Sequence, residues 1–219
     1  MSGVGGGARR PLIAVIDYGI GNLRSAERAL QHMGADARLS SDPAFIADAD
    51  AVVLPGVGAF GACMSSLRAC GLEDVAHAAV ASQRPFLGIC VGMQMLFDGS
   101  EEDASATGLG IIPGTIDWIP AGVKRPQMQW NLLDIQRPED PMVEGLGEHP
   151  WMYFVHSLHG VPNDAADVVA TCDYGGPLNV AFRRSNVFAT QFHPEKSGRS
   201  GLALLGNFVS AAAALAPVR

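Results

Sequence analysis

The pentapeptide Gly88-Ile89-Cys90-Val91-Gly92, set directly behind the apolar run Pro85-Phe86-Leu87, permits few folds. A G-x-nucleophile-x-G turn needs a buried strand that stops abruptly and a helix that starts at once. Glycines on both sides let the chain turn there without a Cβ clash, which leaves the middle side chain exposed above a sheet. Hydrolases often carry serine at that point. This chain carries a cysteine.

The flanking sequence has the periodicity that such a turn demands. Residues 12–16 (Leu-Ile-Ala-Val-Ile) and 51–54 (Ala-Val-Val-Leu) are continuous apolar runs, as expected of strands covered on both faces. A short strand is expected at 36–39 and another at 85–89. Helices are predicted from Asn22, a candidate N-cap, to His32 with Gly34 closing it, and over 60–68, 73–82 and 90–97. Strands alternating with helices imply an open parallel sheet whose chemistry gathers at the carboxyl ends of the strands. Asp17-Tyr18-Gly19, Pro55-Gly56-Val57-Gly58 and Cys90 then share one rim.

The second half reads as shorter β segments at 114–119, 131–135, 152–155, 168–171, 180–183 and 187–191, separated by Pro, Gly and Asp clusters. A hairpin with Arg184-Ser185-Asn186 at its tip and a terminal helix over 201–215 complete the pattern. The expected fold is α/β, one domain spanning 12–219. It has an open, mostly parallel central sheet flanked by helices, with additional short antiparallel strands in the C-terminal half. Residues 1–11 carry glycines and two arginines but no hydrophobic region, and read as a disordered start rather than a secretory signal.

Composition excludes several classes. A formal charge of −7 argues against a nucleic-acid partner, which needs a basic stripe. No apolar stretch reaches the ~20 residues that span a bilayer, so no membrane association is expected. Cys63, Cys70, Cys90 and Cys172 form no C-x-x-C pair, and a reducing cytoplasm is the expected compartment. Cys63, Cys70 and Cys172 read as buried or half-buried apolar residues. The histidines form no H-x-x-x-H or E-x-x-H grouping, so neither a metal nor a cofactor is expected.

A thiol that attacks an amide needs a base, a group to orient the base, and donors for the oxyanion. Gln191-Phe192-His193-Pro194-Glu195-Lys196 supplies the first two: His193 as base, and Glu195 to steer its tautomer, with Pro194 stiffening the segment. A helix N-terminus and a nearby imidazole both favour the thiolate at Cys90. The amide of Val91 and an N–H from Pro55-Gly56-Val57-Gly58, taken as Val57, would form the oxyanion hole. A Pro-Gly turn after a strand is by itself only a turn. His156 ends a strand aimed at the rim and reads as a structural histidine satisfied by local partners. His32 and His77 read as surface or boundary residues.

Pro55-Gly56-Val57-Gly58-Ala59-Phe60, Gly88-Ile89-Cys90-Val91-Gly92-Met93-Gln94 and Gln191-Phe192-His193-Pro194-Glu195 together resemble the class I (triad) glutamine amidotransferases. Gly-Val-Gly in the oxyanion loop, Trp130-Asn131, Tyr153-Phe154-Val155-His156-Ser157 and Lys196-Ser197-Gly198 resemble one branch of it, the glutaminase subunits of imidazole glycerol phosphate synthase. That resemblance implies hydrolysis of L-glutamine to glutamate and ammonia through a cysteine thioester. The ammonia would pass to a separate (β/α)-barrel cyclase subunit, which converts PRFAR to imidazole glycerol phosphate and AICAR in histidine biosynthesis. It also implies that Gly56, Gly58, Gln94, Ser157 and Leu158 hold the substrate, and that Tyr153, Trp130, Asn131 and Lys196 face the partner near the ammonia passage. Two positions depart from the branch pattern: Gln129 stands where glycine is usual, and Leu158 where an aromatic is usual. Glutaminases serving pyridoxal phosphate or anthranilate synthesis are the competing enzymes. A silent binding module of the same fold is the competing non-enzyme, although an intact Cys90, His193 and Glu195 speaks against it.

Overall fold

In the computed structural model, which describes residues 10–215, the chain begins with strand β1 (Leu12–Ile16) and helix α1 (Leu23–His32). Strand β2 (Asp36–Ser40), helix α2 (Pro43–Asp48), strand β3 (Ala51–Gly56), helices α3 (Phe60–Ala69) and α4 (Glu73–Ala81) and strand β4 (Phe86–Cys90) follow. Beyond β4 come helix α5 (Val91–Gln94) and strands β5 (Gly99–Ser100), β6 (Asp103–Thr107), β7 (Gly114–Trp118) and β8 (Gln127–Leu132). The last part holds β9 (Asp134–Ile135), β10 (Trp151–His156), β11 (Leu158–Pro162), β12 (Val168–Asp173), β13 (Pro177–Arg184), β14 (Val187–Thr190) and helix α6 (Gly198–Leu215).

The central sheet has the order β2-β1-β3-β4-β14-β13-β12-β9. Its first five strands pair parallel, and β13, β12 and β9 extend it antiparallel. Every residue of β3, β4 and β14 is buried, which is why these strands read as unbroken apolar runs. Because β1, β3, β4 and β14 all point the same way, Tyr18, Gly56, Cys90 and His193 stand at or just past their carboxyl ends on one rim.

Two smaller sheets were not legible as such. β11-β7-β5-β6 forms a four-stranded sheet, and β10 pairs with β8 as an isolated antiparallel ribbon. In that ribbon Gln129 sits opposite Phe154, so the Gly-to-Gln departure falls in regular extended backbone and not in a loop.

Several expectations need correction. The helix after Cys90 does not reach Phe97; α5 is a single turn. The carbonyls of Met95, Leu96 and Phe97 accept from the amides of Leu109, Ile111, Ile112 and Gly110, so they cannot continue a helix. The dipole behind Cys90 is correspondingly short. Asn22 occupies the N-cap of α1, but its side chain makes no capping bond. α2, absent from the expected elements, starts on the recognisable helix signal Asp42-Pro43, with Asp42 accepting from the amide of Ala44. The terminal helix begins at Gly198 and not at residue 201. Cys70 is exposed, whereas Cys63 and Cys172 are buried as expected. His32 and His77 are exposed. The expected disordered start lies outside the described residues over 1–9. Arg10 already donates to the carbonyls of Gly34 and Ala35, and the Pro11 carbonyl accepts from Asp36.

Candidate active site

Cys90 holds φ +56°, a conformation that costs a non-glycine residue about 1–3 kcal/mol and is kept only when its surroundings enforce it. The enforcement is packing between glycines. A Cβ on Gly92 would overlap the Leu54 carbonyl oxygen, and one on Gly88 would come within 2.8 Å of Leu96 Cδ1. A Cβ on Gly56 would meet the Gly92 nitrogen at 2.7 Å and the Tyr18 hydroxyl at 2.8 Å. The ends of β3 and β4 therefore touch backbone to backbone. Tyr18, fully buried, fixes the β3 side by donating its hydroxyl to the Pro55 carbonyl at 2.8 Å.

His193 and Glu195 come from the segment after β14. His193 Nδ1 and Glu195 Oε1 are 2.8 Å apart, and both side chains are nearly inaccessible. Burial penalises the imidazolium. Hydrogen bonds and attraction from the Cys90 sulfur and the Glu195 carboxylate outweigh that penalty and raise the His193 pKa to about 10. The ring therefore binds a proton tightly wherever the sulfur is a thiolate. Its backbone is fixed as well: His193 N–H donates to the Tyr153 carbonyl at 3.1 Å. The buried Ser197 hydroxyl donates to the His193 carbonyl at 2.6 Å and accepts from Tyr153 N–H at 2.9 Å.

A cavity of about 270 Å³ opens over the sulfur. It brings Cys90 and His193 together with Val57, Gly58, Val91, Gln94, Ser157, Leu158 and Lys196. Gly56 stands behind that wall, packed on Gly92, as a spacer. Trp130, Tyr153 and Asn131 lie on the β8–β10 ribbon outside the cavity. Trp130 and Tyr153 meet edge-on at 6.0 Å, and the Asn131 amide donates to the Asp173 carbonyl. Sequence motifs do not mark Glu102, which lines the cavity while its carboxylate accepts from Phe60 N–H at 2.7 Å. No local pattern marks it, because the contact joins residues far apart in sequence. A larger cavity of about 650 Å³ opens elsewhere, around Phe86, Arg183 and Asp140. It is remote from the rim, and Arg183 and Arg184 there are already paired with Asp140 and Asp167.

His156 is the satisfied structural histidine expected at the end of β10. Its Nδ1 lies 2.7 Å from the Leu158 carbonyl, so a neutral ring donates there and accepts at Nε2. The Gln127 side chain sits 2.8 Å from Nε2, and turning its amide nitrogen to the ring satisfies both groups. Burial lowers the His156 pKa to about 4. Below pH 6.5 the unfolded chain takes up a proton that the folded chain refuses until about pH 4. Stability contributed by the neutral ring is therefore present above about pH 6.5 and drains away as pH falls, by up to about 3 kcal/mol. Urea unfolding at pH 6.5 and pH 4.5 should show this loss, and His156→Asn should reduce it.

The family profile described as "Glutamine amidotransferase class-I" matches residues 14–212 of this chain. The chain belongs to the class I glutamine amidotransferases. Among curated members of the family it is 50% identical over 204 residues to the imidazole glycerol phosphate synthase subunit HisH of Syntrophotalea carbinolica, covering 90% of this chain and 98% of that one. It is 47% identical to HisH of Synechococcus elongatus, over 94% of this chain and 96% of the relative. Against HisH of Salinibacter ruber it is 46% identical, over 91% and 94%. A solved glutamine amidotransferase superposes with a TM-score of 0.73 at 22% identity, covering 91% of this chain and 98% of that one. PurLQS from Thermotoga maritima also gives 0.73, at 19% identity, over 92% and 99%. These two establish the amidotransferase fold.

Proposed function

We propose that this protein is the glutaminase subunit of an imidazole glycerol phosphate synthase, with Cys90, His193 and Glu195 as its catalytic residues. The observation that carries the residue assignment is the convergence of a strained cysteine, a carboxylate-paired imidazole and an amino-acid-sized cavity at one sheet rim. The protein is a glutamine-hydrolysing enzyme of histidine biosynthesis, in line with its near-full-length identity to HisH subunits.

In this reading the Cys90 thiolate attacks the side-chain amide carbon of glutamine. The carbonyl electrons move onto oxygen, which the amides of Val91 and Val57 receive. His193 then gives its proton to the departing nitrogen, which leaves as ammonia and leaves a thioester on Cys90. Water, losing a proton to His193, cleaves the thioester to glutamate and restores the thiol. Glu195 holds the ring so that Nε2 faces the sulfur. Gln94, Gly58, Ser157 and Leu158 grip the amino-acid end, and the Glu102 carboxylate faces its ammonium.

The partner surface in this reading is the β8–β10 ribbon. Met128, Trp130 and Trp151 are 63%, 47% and 48% exposed, an apolar concentration that a solvent-facing ribbon does not need. Tyr153 belongs to the same ribbon and bonds through its backbone to His193 and Ser197, so a cyclase docked there would sit next to the base. Glutamate release by the chain should be low alone and should rise when a cyclase subunit loaded with PRFAR is added. Equal release with and without the loaded cyclase would contradict a partner-dependent glutaminase. The setting expected for such a biosynthetic complex is the cytoplasm, and no helix among the described residues is long and apolar enough to cross a membrane.

A further inference from the structure

Gln191 is fully buried between the nucleophile and the cavity wall. Its amide nitrogen points at the Cys90 sulfur, 3.8 Å away, and its amide oxygen accepts from Gln94 Nε2 at 3.0 Å. Its backbone N–H is taken by the Val180 carbonyl at 2.9 Å, which fixes where the side chain starts. A buried side-chain amide is costly to keep unless both of its ends are used. Here one end is used by the reacting atom and the other by Gln94, which is itself buried and lines the cavity.

We propose that Gln191 is a further catalytic residue, a hydrogen-bond donor that holds the Cys90 sulfur and stabilises its thiolate, with Gln94 linking this donor to the substrate cavity. The inference rests on the reading of Cys90 as the nucleophile. His193 supplies a donor on one side of the sulfur. A second, neutral donor adds stabilisation without a competing base, because an amide cannot take the proton back. The bond from Gln94 to the Gln191 carbonyl polarises the amide and strengthens its N–H as a donor. The short α5 makes this contribution matter, since the helix behind Cys90 offers only one turn of aligned peptides. The apolar alternative, that Gln191 merely fills space, fails to explain why its nitrogen faces sulfur and its oxygen faces the cavity-lining Gln94.

The test is the rate of Cys90 alkylation by iodoacetamide in the full chain, read by peptide mass so that the exposed Cys70 does not contribute; a Cys70→Ser background removes it altogether. The titratable groups facing Cys90 are His193 with Glu195 behind it, His156, Glu102 and Lys196 around the cavity, and Tyr18 and Cys63 beneath. All of them are retained in Gln191→Met, which keeps the side chain's length and loses the donor. The Met variant should alkylate about tenfold more slowly at pH 6.5, the effect of losing one hydrogen bond to a charged group, and at the parental rate at pH 9.5. An unchanged rate at pH 6.5, or an equal loss at both pH values, would overturn the proposal. Should the Met variant not fold, Gln191→Glu keeps the shape and places a carboxylate by the sulfur. It should slow alkylation at pH 6.5 further, and parental kinetics there would also overturn the proposal. The assay needs neither glutamine nor a partner. If the parent's Cys90 reacts no faster than Cys70, the nucleophile reading fails, and not only the role of Gln191.

Discussion

Replacing Cys90 with alanine is expected to abolish glutamine-dependent product formation by the assembled synthase while ammonia-dependent formation persists. The loss should be at least about four orders of magnitude, the scale seen when the nucleophile of a triad is removed. On the proposed mechanism glutamine's amide carbon is attacked by the sulfur that the turn presents, and the barrier without it is that of water and an unactivated amide. Ammonia added to the medium bypasses this step and needs only the cyclase. The substitution leaves the fold intact, because alanine keeps the Cβ of Cys90 and loses only a sulfur that faces the cavity. Product formation measured with glutamine and then with ammonium salt at high pH separates the two cases. Loss of both activities would make Cys90 structural, or place the cyclase chemistry in this chain.

Gly92→Ala should be the most damaging single methyl group that can be added near the site. Its Cβ would overlap the Leu54 carbonyl oxygen and lie 2.7 Å from the Leu54 carbonyl carbon and 3.0 Å from that of Pro55. These atoms are backbone of β3, paired in register with β4 from Val52–Phe86 to Gly56–Cys90, so no side-chain rotation relieves the clash. Either the two central strands separate or the turn opens. Overpacking a core costs about 1–3 kcal/mol when side chains can give way, and a backbone overlap belongs at or above the top of that range. For a chain of this size about 3 kcal/mol lowers the melting temperature by roughly 6–12 °C. Gly99→Ala is the control: its Cβ would meet nothing closer than the Ala106 carbonyl at 3.7 Å. Thermal unfolding of the two variants should differ by most of that range. A Gly92→Ala protein that melts with the parent would show that the two strand ends are not held as closely as described.

The parts of the fold legible in sequence were those whose physics is local. Residues 12–16 and 51–54 are apolar at every position because both faces of the strand are covered, and their shortness and β-branched residues mark them as strands. The elbow was legible because its glycines answer to one steric requirement. His193 and Glu195 were legible because a two-residue spacing around proline leaves the carboxylate beside the ring, where it stands at 2.8 Å. What escaped depends on distant partners. β6 (Asp-Ala-Ser-Ala-Thr) alternates polar residues with nothing larger than alanine, too weak a signal by itself, and is a strand because β5 pairs with it. α5 stops where amides of residues 109–112 capture the carbonyls of Met95, Leu96 and Phe97 just beyond it, which nothing within the helix sequence announces. Glu102, Ser197 and Gln191 owe their positions to contacts across 42 to 101 residues. Gln191 belongs to the segment that carries His193 and Glu195, yet its use depends on its nitrogen facing the sulfur of a strand end 101 residues away. Leu158, where the branch usually carries an aromatic, lines the cavity and also accepts from His156 through its carbonyl, a contact that does not depend on its side chain.

If glutamine is opened at Cys90, the enzyme carries a glutamyl thioester during turnover. Quenching the glutamine-consuming complex in acid and weighing the peptide that carries Cys90 detects this intermediate. An added mass equal to glutamine less ammonia is expected on that peptide, and no adduct in Cys90→Ala. Steady glutamate release with that peptide unmodified, or with the adduct on Cys63, Cys70 or Cys172, would contradict opening at Cys90.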